Sequence, residues 1–226
     1  MNKPLRFAMS YSGGKDSALA LYRMVQKGHI LISLLVTVNK DLGVSWFHGV
    51  DVALLRAVAE SFSAYLILVE SDGKDYETAL ADSLKEAGKM GATAVVFGDI
   101  DIDEHRVWCE RVAAAADLEA VFPLWQEDRL LLVNEVIDAG FSSIIKVVSK
   151  NSGLHESLLG KKLTKETLNE IIRCGADPCG ENGEYHTFVY NGPAFHRPVP
   201  FKTDGIYENE YCYGLKIRPL IGETGI

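Results

Sequence analysis

The sequence predicts an α/β protein: a parallel five-stranded sheet with helices on both faces, followed by a smaller C-terminal α+β domain. Three observations predict it. Short, near-continuous apolar runs alternate with amphipathic helical patterns through the first half of the chain, as strands buried on both faces of a parallel sheet require. A glycine-rich loop, Ser12-Gly13-Gly14-Lys15-Asp16-Ser17, joins the first such strand to the first helix. After Pro123-Leu124-Trp125 the alternation gives way to a different rhythm, which ends in a Gly-, Pro- and aromatic-rich stretch.

Taken in order, Leu5 to Ser10 is a short buried strand, and Ser17 to Lys27 carries Leu19, Leu21, Tyr22 and Val25 on a helix that Gly28 ends. Ile30 to Val38 is the second strand. Val50 to Phe62 is a helix with Val52, Leu55, Val58, Ala59 and Phe62 on one side, and Tyr65 to Val69 is the third strand, completing a βαβαβ pattern. A helix from Tyr76 to Met90, a β-branched strand from Thr93 to Phe97 ending at Gly98-Asp99, a helix from Glu104 to Ala116 and a short strand from Glu119 to Phe122 follow. The crossovers are expected to be right-handed. A boundary near residue 127 divides the chain into domains 1–127 and 128–226. The second holds a helix (about Asp128 to Ala139), a strand (about Ser143 to Val148) and a helix from Thr164 to Arg173 with Thr164 as N-cap, then the aromatic-rich tail.

Composition narrows the function classes. Acidic residues outnumber basic ones by 31 to 23, a formal charge of -8, the wrong sign for tight nonspecific attachment to a phosphate backbone, so no nucleic-acid partner is expected. The four cysteines, Cys109, Cys174, Cys179 and Cys212, form no CxxC pair and read as reduced, mostly buried thiols, with a role left open for Cys179. No apolar run approaches the ~20 residues that cross a bilayer, and the N-terminus lacks a secretory pattern, so no membrane partner and a cytoplasmic location are expected.

The glycine-rich loop lies where backbone N–H groups and the positive end of a helix dipole converge on an anion above a strand's carboxyl edge. Gly13 and Gly14 let the backbone approach phosphate oxygens, the hydroxyls of Ser12 and Ser17 can donate to them, and Lys15 supplies positive charge. Asp16 sits oddly beside a polyanion and reads as a helix-start residue or an indirect magnesium contact. The order differs from a Walker A loop, because Asp16 separates the lysine from the serine, and from a GxGxxG fingerprint. It resembles the PP-loop of the N-type ATP pyrophosphatases, which split ATP into AMP and pyrophosphate.

A second dense cluster runs Asp177-Pro178-Cys179-Gly180-Glu181-Asn182-Gly183-Glu184-Tyr185-His186-Thr187. Its glycine spacing excludes a helix; it reads as a turn-rich loop that delivers Glu181, Asn182, Glu184 and His186 to one place, followed by a strand from Thr187 to Tyr190. Composition alone leaves a solvated acidic hairpin equally open. Together with Gly98-Asp99-Ile100, Pro123-Leu124-Trp125 and Leu159-Gly160, the two motifs resemble the diphthine-ammonia ligase family over nearly the whole chain.

That resemblance implies a HUP/Rossmann-like nucleotide-binding PP-loop domain, a substrate-binding C-terminal domain and a cleft between them. It implies ATP with magnesium, adenylation of the diphthine carboxylate on elongation factor 2, and displacement of AMP by ammonia. Carried over by position, Ser12, Gly13, Gly14, Lys15, Asp16 and Ser17 bind ATP with Asp99 near the nucleotide, and Glu181, Asn182, Glu184 and His186 face the carboxylate and the ammonia. Lys15, Glu181, Glu184 and His186 are the catalytic candidates, the last three for attracting and deprotonating ammonium. Asn182 and Tyr185 are the substrate-binding candidates, with Tyr185 and Trp125 as walls for a quaternary ammonium. Asp99, after a strand, is read as a nucleotide or magnesium contact, with capping of the next helix as the alternative. No metal site made by protein ligands alone is expected. A small carboxylic acid as acceptor and a non-catalytic ATP-sensing module are the competing readings, and homo-oligomerisation is left open.

Overall fold

The computed structural model describes residues 3–220. The first sheet-forming part runs β1 (Arg6–Ser10), α1 (Lys15–Gln26), β2 (Ile30–Asn39), β3 (Val44–Ser45), α2 (Val52–Ser61), β4 (Tyr65–Ser71), α3 (Tyr76–Lys89), β5 (Ala94–Val96), α4 (Asp103–Ala114) and β6 (Glu119–Val121). Five strands are parallel, in the order β4-β2-β1-β5-β6, a doubly wound Rossmann-like arrangement that reverses direction at β1. The sixth strand, β3, is an addition to the expected sheet. It pairs antiparallel with Val38 and Asn39 of β2. The β4 edge of β2 is paired as far as Asn39, whereas β1 stops at Ser10 opposite Leu35, so β3 continues the line of β1 and overhangs its carboxyl end.

Alternation along the strands builds two cores. Phe7 and Met9 of β1 and Leu34 and Val36 of β2 face Leu19 and Leu21 of α1 and Leu54 and Val58 of α2. Ala8, Leu35, Ile67 and Val95 face the other side, toward Leu80 and Leu84 of α3 and Val112 of α4. Helix α2 starts at Asp51, whose side chain accepts from Ala53 N–H. Helix α1 begins two residues before the expected start, because Gly14 holds the extended N-cap conformation (φ -90°, ψ 172°) and lets Lys15 enter the helix directly.

The remainder comprises α5 (Arg129–Asp138), β7 (Ser142–Ser149), α6 (Lys165–Arg173), β8 (Tyr185–Asn191), β9 (Phe201–Glu208) and β10 (Cys212–Pro219), with an antiparallel sheet ordered β8-β7-β10-β9. Asp128 and Thr164 cap α5 and α6 by accepting from Leu131 and Thr167 N–H. The tail thus contains two strands absent from the sequence reading, and β8 begins at Tyr185, so Tyr185 and His186 belong to a strand. Phe188 of β8 and Ile145 and Val148 of β7 join the same buried cluster as α1 and α2. No helix among the described residues is long and apolar enough to cross a membrane.

Candidate functional site

The loop after β1 is held open from both sides. Gly13 has φ +88°, a conformation that glycine adopts without strain, and its carbonyl accepts from Val189 N–H of β8 at 2.9 Å. Gly14 has no side chain with which to cap α1, so the Asp16 and Ser17 amides of its first turn remain as donors for an anion. The Lys15 amide donates to Thr187 Oγ1 at 3.0 Å, and Ser17 Oγ donates to the Gly14 carbonyl at 3.0 Å. A Cβ at Gly98 would lie 3.0 Å from Ser17 N; the exit of β5 therefore presses directly against the helix start. The second sheet is thus bonded to the phosphate loop itself.

The Lys15 side chain is buried, with Nζ donating to Asp16 Oδ2 at 2.8 Å and to the Cys179 carbonyl. Burial disfavours its charge, but Asp16, Tyr185 and Cys179 together outweigh this and raise its pKa. The ammonium is therefore retained at the loop.

Above the carboxyl edge of the sheet lies a cleft of about 430 Å³, within the size range of small-molecule sites, ~300–1,000 Å³. Its polar end is formed by Ser12, Asp16, Ser17, Gly98, Asp99 and Glu181, and its other end by Leu35, Thr37, Trp46, Phe47, Ser71 and Tyr76. Tyr11 lines it too, and the Tyr11 hydroxyl and the Trp46 indole N–H have no partner among the described residues; buried donors of this kind are normally satisfied. Asp99 lies 3.5 Å from His105 Nδ1 and does not cap α4, whose N-cap is Ile102.

Three carboxylates share this cleft. Burial raises the pKa of Asp99, and Asp16 adds to the rise against the pull of His105. Burial, then the charge of Asp16, push Glu181 up to about 7 despite Lys15 and Arg129. Burial thus disfavours the charged forms of Asp99 and Glu181, and the third carboxylate, Asp16, adds to the effect on both. No group of three or more His, Cys, Asp or Glu side chains among the described residues is arranged to hold a metal ion unaided.

The loop that presents Glu181 is tied by its own acids. Asp177 Oδ1 accepts from the N–H groups of Cys179 and Gly180 at 2.6 and 3.1 Å, and Arg129 joins Asp177 to Asp101. Glu184 accepts from Asp177 N–H (3.2 Å), Asn182 N–H (3.1 Å) and Asn182 Nδ2 (3.0 Å). The sequence reading sent Glu184 and Asn182 to the reacting groups. These bonds close the turn where the glycines at 180 and 183 fold the chain back on itself, and neither side chain lines the cleft. Tyr185 does not line the cleft either: it is 1% exposed, with its ring beneath Lys15 Nζ, and its hydroxyl donates to the Pro178 carbonyl. Trp125 packs on Phe122 under Arg106. Cys179 is buried with its thiol donating to the Arg129 carbonyl, and burial raises its pKa, whereas Cys174 is exposed.

His186 stands beside the cleft without lining it, its ring 4.8 Å from that of His48 and 6.2 Å from that of Phe47. Burial, His48 and Lys15 hold its pKa down to about 3, and burial first among causes lowers that of His48 to about 4. Both rings are neutral near pH 7. His48 Nδ1 lies 2.8 Å from the Thr187 carbonyl, so that nitrogen carries the proton. The segment 45–49, which supplies Trp46, Phe47 and His48, carries no periodic pattern and was not read as part of the site; its one signal is a Trp-Phe-His run bounded by Gly43 and Gly49, both at positive φ.

The family model for the diphthamide synthase N-terminal domain matches residues 5–119, and that for the C-terminal domain matches residues 128–213. A zebrafish diphthine–ammonia ligase is 27% identical over an alignment covering 83% of each chain. The fission yeast diphthine–ammonia ligase is 27% identical over 93% of this chain, which spans 38% of that longer protein. The rat protein of the same name is 26% identical, with 88% and 84% of the two chains covered. A solved structure described as a predicted subunit of tRNA methyltransferase from Methanocaldococcus jannaschii covers 86% of this chain at 14% identity and a TM-score of 0.43. With both domain models matched along the chain, the protein belongs to the diphthamide synthase family of ATP-dependent ligases.

Proposed function

We propose that this ligase adenylates the carboxylate of diphthine on elongation factor 2 and then lets ammonia displace AMP to form the amide. The observation that carries the reading is the position of Glu181, in the same cleft as the phosphate loop and with a pKa pushed up to about 7. A carboxylate oxygen of the acceptor attacks the α-phosphorus of ATP, and the bond from that phosphorus to the bridging oxygen breaks. The departing pyrophosphate is received by the first turn of α1, the hydroxyls of Ser12 and Ser17, and Lys15, whose ammonium exchanges its internal partners for phosphate oxygens. Thr37, Trp46 and Tyr76 offer the adenosine end of the cleft polar and aromatic contacts.

Magnesium fits the oxygen-rich end, where the carboxylates of Asp16 and Asp99 would hold it; bound with ATP it would supply charge neutralisation for the phosphates. In the second half-reaction Glu181 accepts a proton from ammonium. The ammonia nitrogen attacks the acyl carbon, the C–O bond to AMP breaks, and the remaining excess proton on nitrogen passes to solvent. His48 and His186, neutral and weakly basic, position the loop and β8 rather than take this proton. Residues 1–127 thus serve the nucleotide, and residues 128–226 supply Glu181 and the acceptor side.

Release of AMP and pyrophosphate from ATP, magnesium and ammonium tests this, with diphthine-bearing elongation factor 2 set against a panel of small carboxylic acids. One AMP per amide is expected with the elongation factor, and Lys15→Ala should lower the rate at least about 100-fold. Turnover with a small acid alone would replace the acceptor, and binding of ATP without turnover of any acceptor would leave an ATP sensor.

A further inference from the structure

Lys146 is the one lysine of the apolar strand β7, and it is fully buried. It stands at an irregularity of the ladder: Ile145 faces Thr187 and Val147 faces His186, so Lys146 is the extra residue of a bulge. Bulges re-aim side chains and are frequent beside active sites. Its Nζ has no hydrogen-bond partner among the described residues and lies 5.2 Å from the centre of the Tyr207 ring. A buried amine left without a partner is costly, and a methionine would fill the same space without that cost.

The surroundings are shaped around these two polar heads. A Cβ at Gly49 would lie 2.9 Å from the Tyr207 hydroxyl and 3.5 Å from Lys146 Nζ. A Cβ at Gly214, which pairs with Tyr207 across β9 and β10, would fall 2.0 Å from the Tyr207 ring. Two glycines therefore make the room in which the lysine and the tyrosine meet. The neighbour of Gly49, His48, places its ring against Gly14 of the phosphate loop, where an added Cβ would be 2.6 Å from His48 Cε1. One short segment, Trp46–Gly49, thus has the ATP cleft on one side and Lys146 on the other. Phe47 and Gly49 in that segment both have positive φ, 59° and 60°.

We propose that Lys146 Nζ and the Tyr207 hydroxyl form a subsite for the acceptor's carboxylate, lying behind the Trp46–Gly49 segment and opening to the phosphate loop when that segment moves. The proposal rests on the amide-forming reading above, since it assigns the missing partner of Lys146 to the acid being activated. A carboxylate is the anion that reading brings to this side of the cleft, and it can accept from both donors at once. Burial alone depresses the Lys146 pKa to about 8, which leaves the ammonium form dominant near neutrality and ready to pair.

The test varies acceptor and ATP independently in the wild type, Lys146→Met and Tyr207→Phe. The expected result is an acceptor KM raised about 10- to 100-fold in Lys146→Met, a smaller rise in Tyr207→Phe, ATP KM unchanged within about twofold, and a Tm for Lys146→Met no lower than wild type. An unchanged acceptor KM in folded variants overturns the proposal. Should Lys146→Met fail to fold, Tyr207→Phe decides by the same criterion. A wild type that turns over no carboxylate would refute the parent reading; affinity for the diphthine-bearing acceptor without ATP, measured by isothermal calorimetry in the wild type and Tyr207→Phe, then decides the subsite alone, and equal affinity overturns it.

Discussion

Burial and the nearby Asp16 charge keep the Glu181 carboxyl protonated up to about pH 7, where a general base is matched to neutral operation. Glu181→Gln should therefore lower kcat for amide formation by about 10²- to 10⁴-fold while ATP KM stays near wild type, and the rise in rate through about pH 7 should vanish from the kcat profile. The same shift has a stability consequence of definite sign. Folding raises the Glu181 pKa from 4.5 to about 7, so the folded state binds the extra proton and wild-type stability falls as pH climbs between those values. Glu181→Gln should match the wild type below about pH 4 and exceed it above about pH 7, by on the order of 1–3 kcal/mol in denaturant titrations. A glutamine that inactivates the enzyme and stabilises it at high pH is the pattern of a group held for function.

At the scale of elements, the loop 177–184 and strand β8 act as one piece that meets the phosphate loop through Thr187 and Val189. Thr187→Val keeps the β-branched shape of the strand but leaves the Lys15 amide without its acceptor. It should weaken ATP binding about 5- to 50-fold by isothermal calorimetry, with the strand content seen by circular dichroism unchanged. Much of this architecture was legible in the sequence. The central parallel strands β1, β2 and β5 announce themselves because burial on both faces makes each a near-continuous apolar run, and Thr164 is a recognisable cap. Strands β9 and β10 were not legible: β9 is exposed along most of its length, so Thr203, Asp204, Gly205 and Ile206 show no alternation. Nor does composition separate Glu181 from Glu184, since the two differ only in where Gly180 and Gly183 send the backbone. Lys146 stood in plain view inside Ile144-Ile145-Lys146-Val147-Val148, but its lack of a partner is a fact of three-dimensional packing.

At the scale of the whole molecule, the two sheets share a buried cluster that runs from Phe7 and Leu54 through Ile145 to Phe188, and ion pairs such as Arg23 with Glu135 and Glu127 join α1 to α5 and the segment before it. The protein should melt in a single calorimetric transition, and saturating ATP with magnesium, at about 100 times its Kd, should raise Tm by about 5–10 °C for every probe together. Two transitions, with ATP moving only one, would mean that the sheets fold independently. The central claim is that the acceptor carboxylate attacks the α-phosphorus in the cleft between these sheets. Amide formation from an acceptor labelled with ¹⁸O in its carboxylate, followed by mass spectrometry of the nucleotide, tests it most directly. One ¹⁸O atom in each AMP is the result this account predicts, whereas unlabelled AMP, or label recovered in inorganic phosphate beside ADP, would contradict it.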